Sequence, residues 1–525
     1  MSFRRRDSNV KFAPLARNPA LSPLLLLILA TGLIRLVMGW ALGLGVDETY
    51  MVAASRHLAL SYYDHPPVSW WLTHAAMSLT GSDAPVIVRL PFILLFALTT
   101  WLMARLTTAL FDARAGFWAA VILNLSPVYA ITAGGWVLPD GPLDCALLGF
   151  ALCAARAVGV VPARHTWLNW LGAGLCAGLA MLSKYNAALV LIGLPAFLLT
   201  TRHGRAWLRR PEPWVAGLVA VLIFSPVILW NVAHGWASFA FQGSRAGGLR
   251  FQPFAPLGVW AGEALFVLPW IWLPLIVLWL RALRRGPTEP RGWLLALLAA
   301  TPILLFAIVA VWSSRHILFH WSTPGTLMLF PLLGAEISRR LALGAPRLRR
   351  TMIGTAAFLL VVLALAGSEM RLNWVSAVFG PRILAHAGDV AGAVNWSGLK
   401  PELEARGLLS TPGLIIGVTR WSDAGKIDYE LGGTIPVVVL VADAREYGIL
   451  APPARFAGRP MLMLVPRSDP AALAVRFASL FAHLTVLPSL PIAFAGFPMM
   501  TVSVLRGDGF DGSIIGHSGK VTKHD

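Results

Sequence analysis

The chain has 525 residues, of which 57% are hydrophobic and only 13% charged. Its mean hydropathy is +0.68. A water-soluble fold of this length cannot hide so much apolar surface, so a soluble enzyme is excluded and a polytopic membrane protein is expected. The net charge of +18 does not signal nucleic acid, because the basic residues sit in short loops between apolar segments, as the positive-inside rule describes. Cys145, Cys153 and Cys176 all fall inside apolar runs and suggest neither disulfides nor a zinc site.

In chain order, apolar segments of roughly spanning length lie near 22–44, 85–110, 115–133, 143–161, 167–183, 185–201, 214–231, 257–281, 292–312, 321–338 and 351–370. That predicts about eleven spans. Arg4-Arg5-Arg6, Lys11 and Arg17 precede the first, which is longer than a signal-peptide core and reads as a retained span with a cytoplasmic N-terminus. Alternating from there puts Arg105 and Arg114, Arg156 and Arg164, Arg202 to Arg210, Arg281 to Arg291 and Arg339 to Arg350 inside. Asp47, Glu48, Asp64, Asp83, Asp140 and Asp144 fall outside. Residues 1–370 are thus expected to form the membrane domain, with an amphipathic first outer loop at 45–84. The odd number of spans sends the remainder outside too. There, Leu414–Val418, Val437–Val441 and Met461–Val465 suggest a small α/β domain over 371–506. Ser479–Val504 is apolar but interrupted by Pro488, Pro491 and Pro498, and is not read as a span. The Gly-rich tail at 507–525 is expected to be disordered.

Residues 46–71 concentrate the chemistry. Pro66-Pro67 can open a helix, and Asp64 then lies near its N-terminus. Asp47 and Asp64 can be N-caps of two amphipathic helices on the membrane surface, although Asp47 and Glu48 are adjacent and only one of them can cap. Tyr62, Tyr63, Trp70 and Trp71 read as interfacial anchors. The outer turn Gly134 to Asp144 carries Asp140, either as a cap of the next span or as a ligand that helps hold a divalent cation. Lys184 is either a snorkelling lysine or a phosphate contact. Arg245, in the loop 231–256, and Arg315, His316 and His320, in the loop 312–321, stand beside Trp in a pattern suited to an anionic headgroup. Glu263 lies inside a predicted span, where an acid is either functional or paired with arginine.

Together these residues resemble the GT-C polyprenyl-phosphate-sugar-dependent glycosyltransferases, nearest to the bacterial lipid A aminoarabinose and galacturonic acid transferases and relatives of the protein O-mannosyltransferases. The likeness rests on Asp47-Glu48-Thr49-Tyr50, Tyr63-Asp64-His65-Pro66-Pro67, Arg89-Leu90-Pro91, Asp140-Gly141-Pro142-Leu143, Leu182-Ser183-Lys184-Tyr185, Ser225 to Asn231, His234-Gly235-Trp236 and His320 to Gly325. It implies an α-helical polytopic GT-C fold. It implies Asp47, with Glu48 and Asp64, as the catalytic carboxylates, Asp47 being general base. It further implies His65, Asp140, Lys184, Arg245, Arg315 and His320 as substrate contacts, and Asp64 and Asp140 as ligands of a divalent metal. Asp64-His65 stands where the aminoarabinose branch has Glu-Lys, which departs from the metal and phosphate roles of that motif.

The resulting expectation is an inner-membrane glycosyltransferase. It would move a sugar from a polyprenyl-phosphate donor lipid to lipid A core, or to another envelope glycolipid or glycan, by inverting displacement at the periplasmic face. The alternatives are a transporter or flippase of lipid-linked saccharide, which would carry its charges near mid-membrane, and a protein O-mannosyltransferase. The sugar, the acceptor and the oligomeric state are not written in the sequence.

Overall fold

The computed structural model describes residues 21–245, 247–314, 317–372, 374–379, 396–494, 497–516 and 521–522. The first part of the chain is helical: α1 (Leu21–Ala41), α2 (Val46–Ser55), α3 (Val68–Thr80), α4 (Pro85–Leu110), α5 (Ala113–Asn124), α6 (Asp140–Ala157) and α7 (Thr166–Ser183). Helices then continue to residue 379. Every predicted apolar segment is helical, but several are broken. Among the described residues, five helices are long and apolar enough to cross a membrane alone: Ser22–Ala41, Pro85–Leu110, Pro211–Ala233, Pro290–Trp312 and Pro346–Leu372.

The breaks have local causes. The predicted span at 257–281 is two helices, Ala255–Val267 and Pro269–Thr288, bent by 117°. Pro269 has no N–H to continue the first helix and disfavours helical backbone in the residue before it. Leu268, between the two helices, leaves the helical region altogether at φ 80°. The segment 115–133 divides at Ser126-Pro127, passing from α5 into a wider turn at Val128–Ala133. The segment 185–201 divides into Ala187–Leu191 and Gly193–Thr200.

The C-terminal part folds around a five-stranded mixed sheet in the order β2-β1-β3-β5-β4. Its strands are β1 (Ile415–Val418), β2 (Val437–Val439), β3 (Met461–Pro466), β4 (His483–Phe494) and β5 (Phe497–Asp508). β1 runs parallel to both β2 and β3, while β5 pairs antiparallel with β3 and β4. The predicted strands at 414–418, 437–441 and 461–465 are β1 to β3. The proline-interrupted run 479–504 supplies the β4–β5 hairpin, with a register shift between Leu487 and Leu490 where Pro488 falls. The expectation of disorder from residue 507 is corrected over 507–515. Phe510, Ile514 and Ile515 are buried there, and Asp511 holds both the hydroxyl and the N–H of Ser513.

One hydrophobic cluster joins this sheet to the first loop. Leu44, Tyr50, Val52, Tyr62 and Trp70 pack in the same core as Ile416, Val439, Leu464 and Val502. Tyr62 and Trp70 were expected as membrane anchors. Both are instead fully buried and stacked at 4.4 Å, because the sheet covers them. Helix Trp421–Glu430 lies directly on α2. A Cβ at Gly425 would stand 2.6 Å from the Tyr50 Cα, so only glycine permits this approach. Polar ties complete the contact: Arg56 pairs with Asp83 at 3.0 Å and Asp428 at 2.8 Å, and the buried Lys426 ammonium donates to the Leu44 carbonyl at 2.5 Å.

Candidate active site

Glu48 sets the geometry of the site. It lies one residue beyond Asp47 on α2 but faces inward. Its two oxygens receive the Arg89 Nε and Nη2 at 2.7 and 2.6 Å, the Gly45 N–H at 2.7 Å and the Val137 N–H at 3.1 Å. Burial pushes its carboxyl up, but the Arg89 guanidinium and these hydrogen bonds outweigh that and hold it below the usual range. Arg89 also donates to the carbonyls of Leu42 and Gly43. The expectation of Glu48 as a catalytic acid is therefore corrected. Both oxygens are occupied, and the pair locks α2 to α4 and to the turn after α1.

Locking Glu48 inward turns Asp47 outward. Asp47 is water-accessible and, among the described residues, makes no hydrogen bond or ion pair. The protein crowding around it raises its pKa. Arg445 and Arg245 oppose that rise, while Asp64 and Glu48 add to it.

Asp64 is buried. Its Oδ1 accepts from the Tyr50 hydroxyl at 3.1 Å, its Oδ2 from Arg445 Nη1 at 3.1 Å, and its carbonyl from Gln242 Nε2 at 2.6 Å. Helix Ala237–Ser244, which carries Gln242, is folded back onto the loop by Gly235 and Trp236, both left-handed at φ 59° and 61°. Ser238 fixes it by donating to the Tyr62 carbonyl at 2.9 Å. Arg245 ends that helix, with its guanidinium 4.9 Å from the Trp321 ring centre and 5.4 Å from that of Phe241.

Across from this group, α7 ends at Lys184 in extended backbone, and the Lys184 ammonium meets both Asp140 oxygens at 2.8 and 3.0 Å. Asp140 opens α6. His65 and His320 face the same charges, Lys184, Asp140 and Arg245. Burial lowers each imidazole to about 4, with Lys184 and Arg245 adding to the fall and the carboxylates, Asp64 and Asp140 at His65 and Asp140 at His320, opposing it. Both rings are thus neutral at physiological pH, and the His65 Nδ1 is buried without a hydrogen-bond partner. Asp47, Asp64, His65, Asp140, Lys184, Arg245 and His320 form one electrostatically connected group. Arg315 and His316 lie outside the described residues. Glu263 accepts from the Thr326 hydroxyl rather than pairing with arginine.

The two carboxylates suggested for a metal do not present a ligand set. Asp64 is taken by Arg445 and Tyr50, and Asp140 by Lys184. Among the described residues no three His, Cys, Asp or Glu side chains are grouped to hold an ion.

Arg445 was not anticipated. It follows β2, adopts φ 48°, and lies 3.6 Å over the Trp421 ring while pairing with Asp64. Trp421 follows β1. Both residues therefore sit beyond the carboxyl ends of adjacent parallel strands, where α/β sheets commonly carry their sites. That placement, with Asp443-Ala444-Arg445-Glu446 as a charged turn directly after an apolar strand, was the available signal.

Residues 64–230 match the family described as dolichyl-phosphate-mannose-protein mannosyltransferase. The lipid A galacturonosyltransferase RgtD of Rhizobium johnstonii is 25% identical over 283 residues, 52% of this chain and 56% of that protein, so the match spans little more than half of the relative's length. ArnT from Cupriavidus metallidurans bound to undecaprenyl phosphate superposes with a TM-score of 0.63 at 18% identity, over 93% of this chain and 98% of that one. Its apo state gives 0.62 at 17%, with the same coverage. Residues 64–230 thus match that family's model, and the chain as a whole shares the fold of ArnT.

Proposed function

We propose that the chain is a membrane glycosyltransferase that transfers a sugar from a polyprenyl-phosphate donor to a glycolipid acceptor, with lipid A core the first choice of acceptor. The observation that carries this is the division of labour among the three carboxylates suggested for catalysis. Glu48 and Asp64 are each held by an arginine, while Asp47 is unpaired and open to water among the described residues. The protein around Asp47 raises its pKa, which makes its carboxylate form a stronger base than an ordinary one. The relatives support the substrate classes: one is bound to undecaprenyl phosphate, and another is a lipid A galacturonosyltransferase.

In this reading Asp47 accepts the proton of the acceptor hydroxyl as its oxygen bonds to the anomeric carbon. The bond from that carbon to the lipid phosphate oxygen breaks, and the electron pair stays on the phosphate. Lys184 and Arg245 offset the charge that develops there. A single displacement inverts the anomeric centre. Arg315 is assigned to the same phosphate from its sequence context.

The placement belongs to the same proposal. The arginine-rich helix ends would face the cytoplasm with the N-terminus, and the site and the C-terminal domain would face the periplasm of a bacterial inner membrane, with about eleven crossings. The test is transfer of sugar by purified protein from a defined polyprenyl-phosphate sugar to lipid A, with Asp47→Asn as the control. Product from the wild type and none from the variant supports the assignment. Equal product from both removes Asp47 from the mechanism, and no product with any acceptor favours a transporter.

A further inference from the structure

Away from the site, helix Pro346–Leu372 stands off the bundle. Of its 27 residues only Thr355 is buried, and Ile353, Phe358, Leu360 and Val361 are more than half exposed. The helix is pinned to the bundle where the Trp270 Nε1 donates to the Thr355 hydroxyl at 2.9 Å. Between it, helix Pro269–Arg285 and helix Phe330–Ala342 lies an elongated cavity of about 290 Å³, near the low end of small-molecule sites. Its walls are apolar over most of their length. From Trp270 at one end to Arg281 at the other, the lining helix rises about 16 Å. Arg281 and Arg340 close the second end.

The charges at that end are uneven. Glu336 also lines the cavity, but Arg340 holds it at 2.6 Å and Arg339 at 2.8 Å. Arg281 makes no ion pair among the described residues. Arg284, Arg285 and Arg347 follow on the adjoining helix ends. The end is therefore cationic overall, with one unmatched guanidinium at the mouth of an apolar slot.

We propose that this groove holds an anionic phospholipid, with an acyl chain between the helices and the phosphate on Arg281 and Arg340. Basic pockets between membrane helices select such headgroups, and guanidinium matches phosphate in a two-point geometry. Uncharged polyprenol would fill the apolar walls equally well but leaves the cationic end unanswered, and polyprenyl phosphate, which shares the phosphate, is the competitor the experiment must separate. A zwitterionic lipid would bring its own ammonium against Arg281. The proposal is independent of the catalytic reading.

The experiment is native mass spectrometry of the full-length protein in mild detergent, with phosphatidylglycerol, phosphatidylethanolamine of matched chains, or polyprenyl phosphate added. The wild type is expected to retain one phosphatidylglycerol in preference to phosphatidylethanolamine. Arg281→Ala should reduce that preference by roughly tenfold, as loss of one charge-assisted contact implies. Val277→Trp, which fills the slot without touching the charges, should remove the retained lipid; it also serves if the arginine variant does not fold. Equal retention of the two phospholipids by the wild type would overturn the proposal. So would an unchanged preference in folded Arg281→Ala, or displacement of the phospholipid from the groove by polyprenyl phosphate.

Discussion

Arg445 of the C-terminal sheet domain pairs with Asp64 of the first loop at 3.1 Å, across 381 residues of sequence. The helical domain does not complete the candidate site by itself. The sheet part packs on the first loop and supplies one of the candidate site's cations. Arg445→Ala is expected to lower kcat on the order of 10²-fold, the cost of misplacing a reacting group, with a smaller change in KM. Arg445→Lys should recover part of this loss, because it keeps the charge without the stacking on Trp421. Steady-state kinetics on folded variants decides. An unchanged kcat in Arg445→Ala would make the pair a structural latch only.

Asp47 and Glu48 are neighbours with opposite fates, and substitution separates them. Asp47→Asn should leave thermal stability near wild type while transfer falls about 10²–10⁴-fold, the range of a lost general base. Glu48→Gln should do the reverse first. It leaves the buried Arg89 without its counter-charge, which costs about 3–5 kcal/mol. Melting temperature and initial rate, measured on both variants, distinguish the roles.

Donor binding should depend on pH with a defined sign. Without an anion, His65 and His320 lie near 4, held down by burial and by Lys184 and Arg245. A bound phosphate opposes those cations and raises both imidazoles, so the complex takes up protons. Affinity for the polyprenyl-phosphate sugar donor, a phosphodiester that keeps its single charge across this range, should therefore strengthen as pH falls from 7 towards 5. Binding isotherms at the two pH values test this, with His65→Gln and His320→Gln expected to flatten the dependence.

Glu446 gives a stability prediction with its own window. Burial raises its carboxyl from 4.5 to about 8 even though it accepts the Tyr63 N–H at 2.7 Å. Its contribution is fully present below 4.5 and is lost as pH rises through about 8, because the folded form must then carry a buried charge. Glu446→Gln keeps an acceptor for Tyr63 and should remove that loss. The variant is expected to melt above the wild type at pH 9, with the gap closing towards pH 5.

The contact between helix Trp421–Glu430 and α2 depends on a missing side chain. Gly425→Ala places a methyl 2.6 Å from the Tyr50 Cα, against backbone that cannot yield. A loss of about 1–3 kcal/mol is expected. Protease cleavage between the two domains should rise with it, and activity should fall because Arg445 moves with the sheet.

Much of the site was legible because membrane sequences are sparing with charge. In a chain this apolar, Asp47, Asp64, Asp140, Lys184 and Arg245 stand out by type and side, and the structure gathers all five. The sequence did not distinguish Asp47 from Glu48, since adjacency in the chain says nothing about which face of α2 meets Arg89. Tyr62 and Trp70 were misread for a related reason. An aromatic residue beside a span looks the same whether lipid or a later domain covers it, and here Ile416 and Val439 belong to the covering layer.

Hydropathy and charge order, then, determined a helical membrane protein with a strand-bearing C-terminal part, because those properties are summed along the chain. Tertiary structure decided which acid is free, which arginine answers Asp64, and where proline breaks a span into two helices. Those outcomes depend on partners hundreds of residues away, and a pairing across that distance is fixed by packing, which local pattern does not encode.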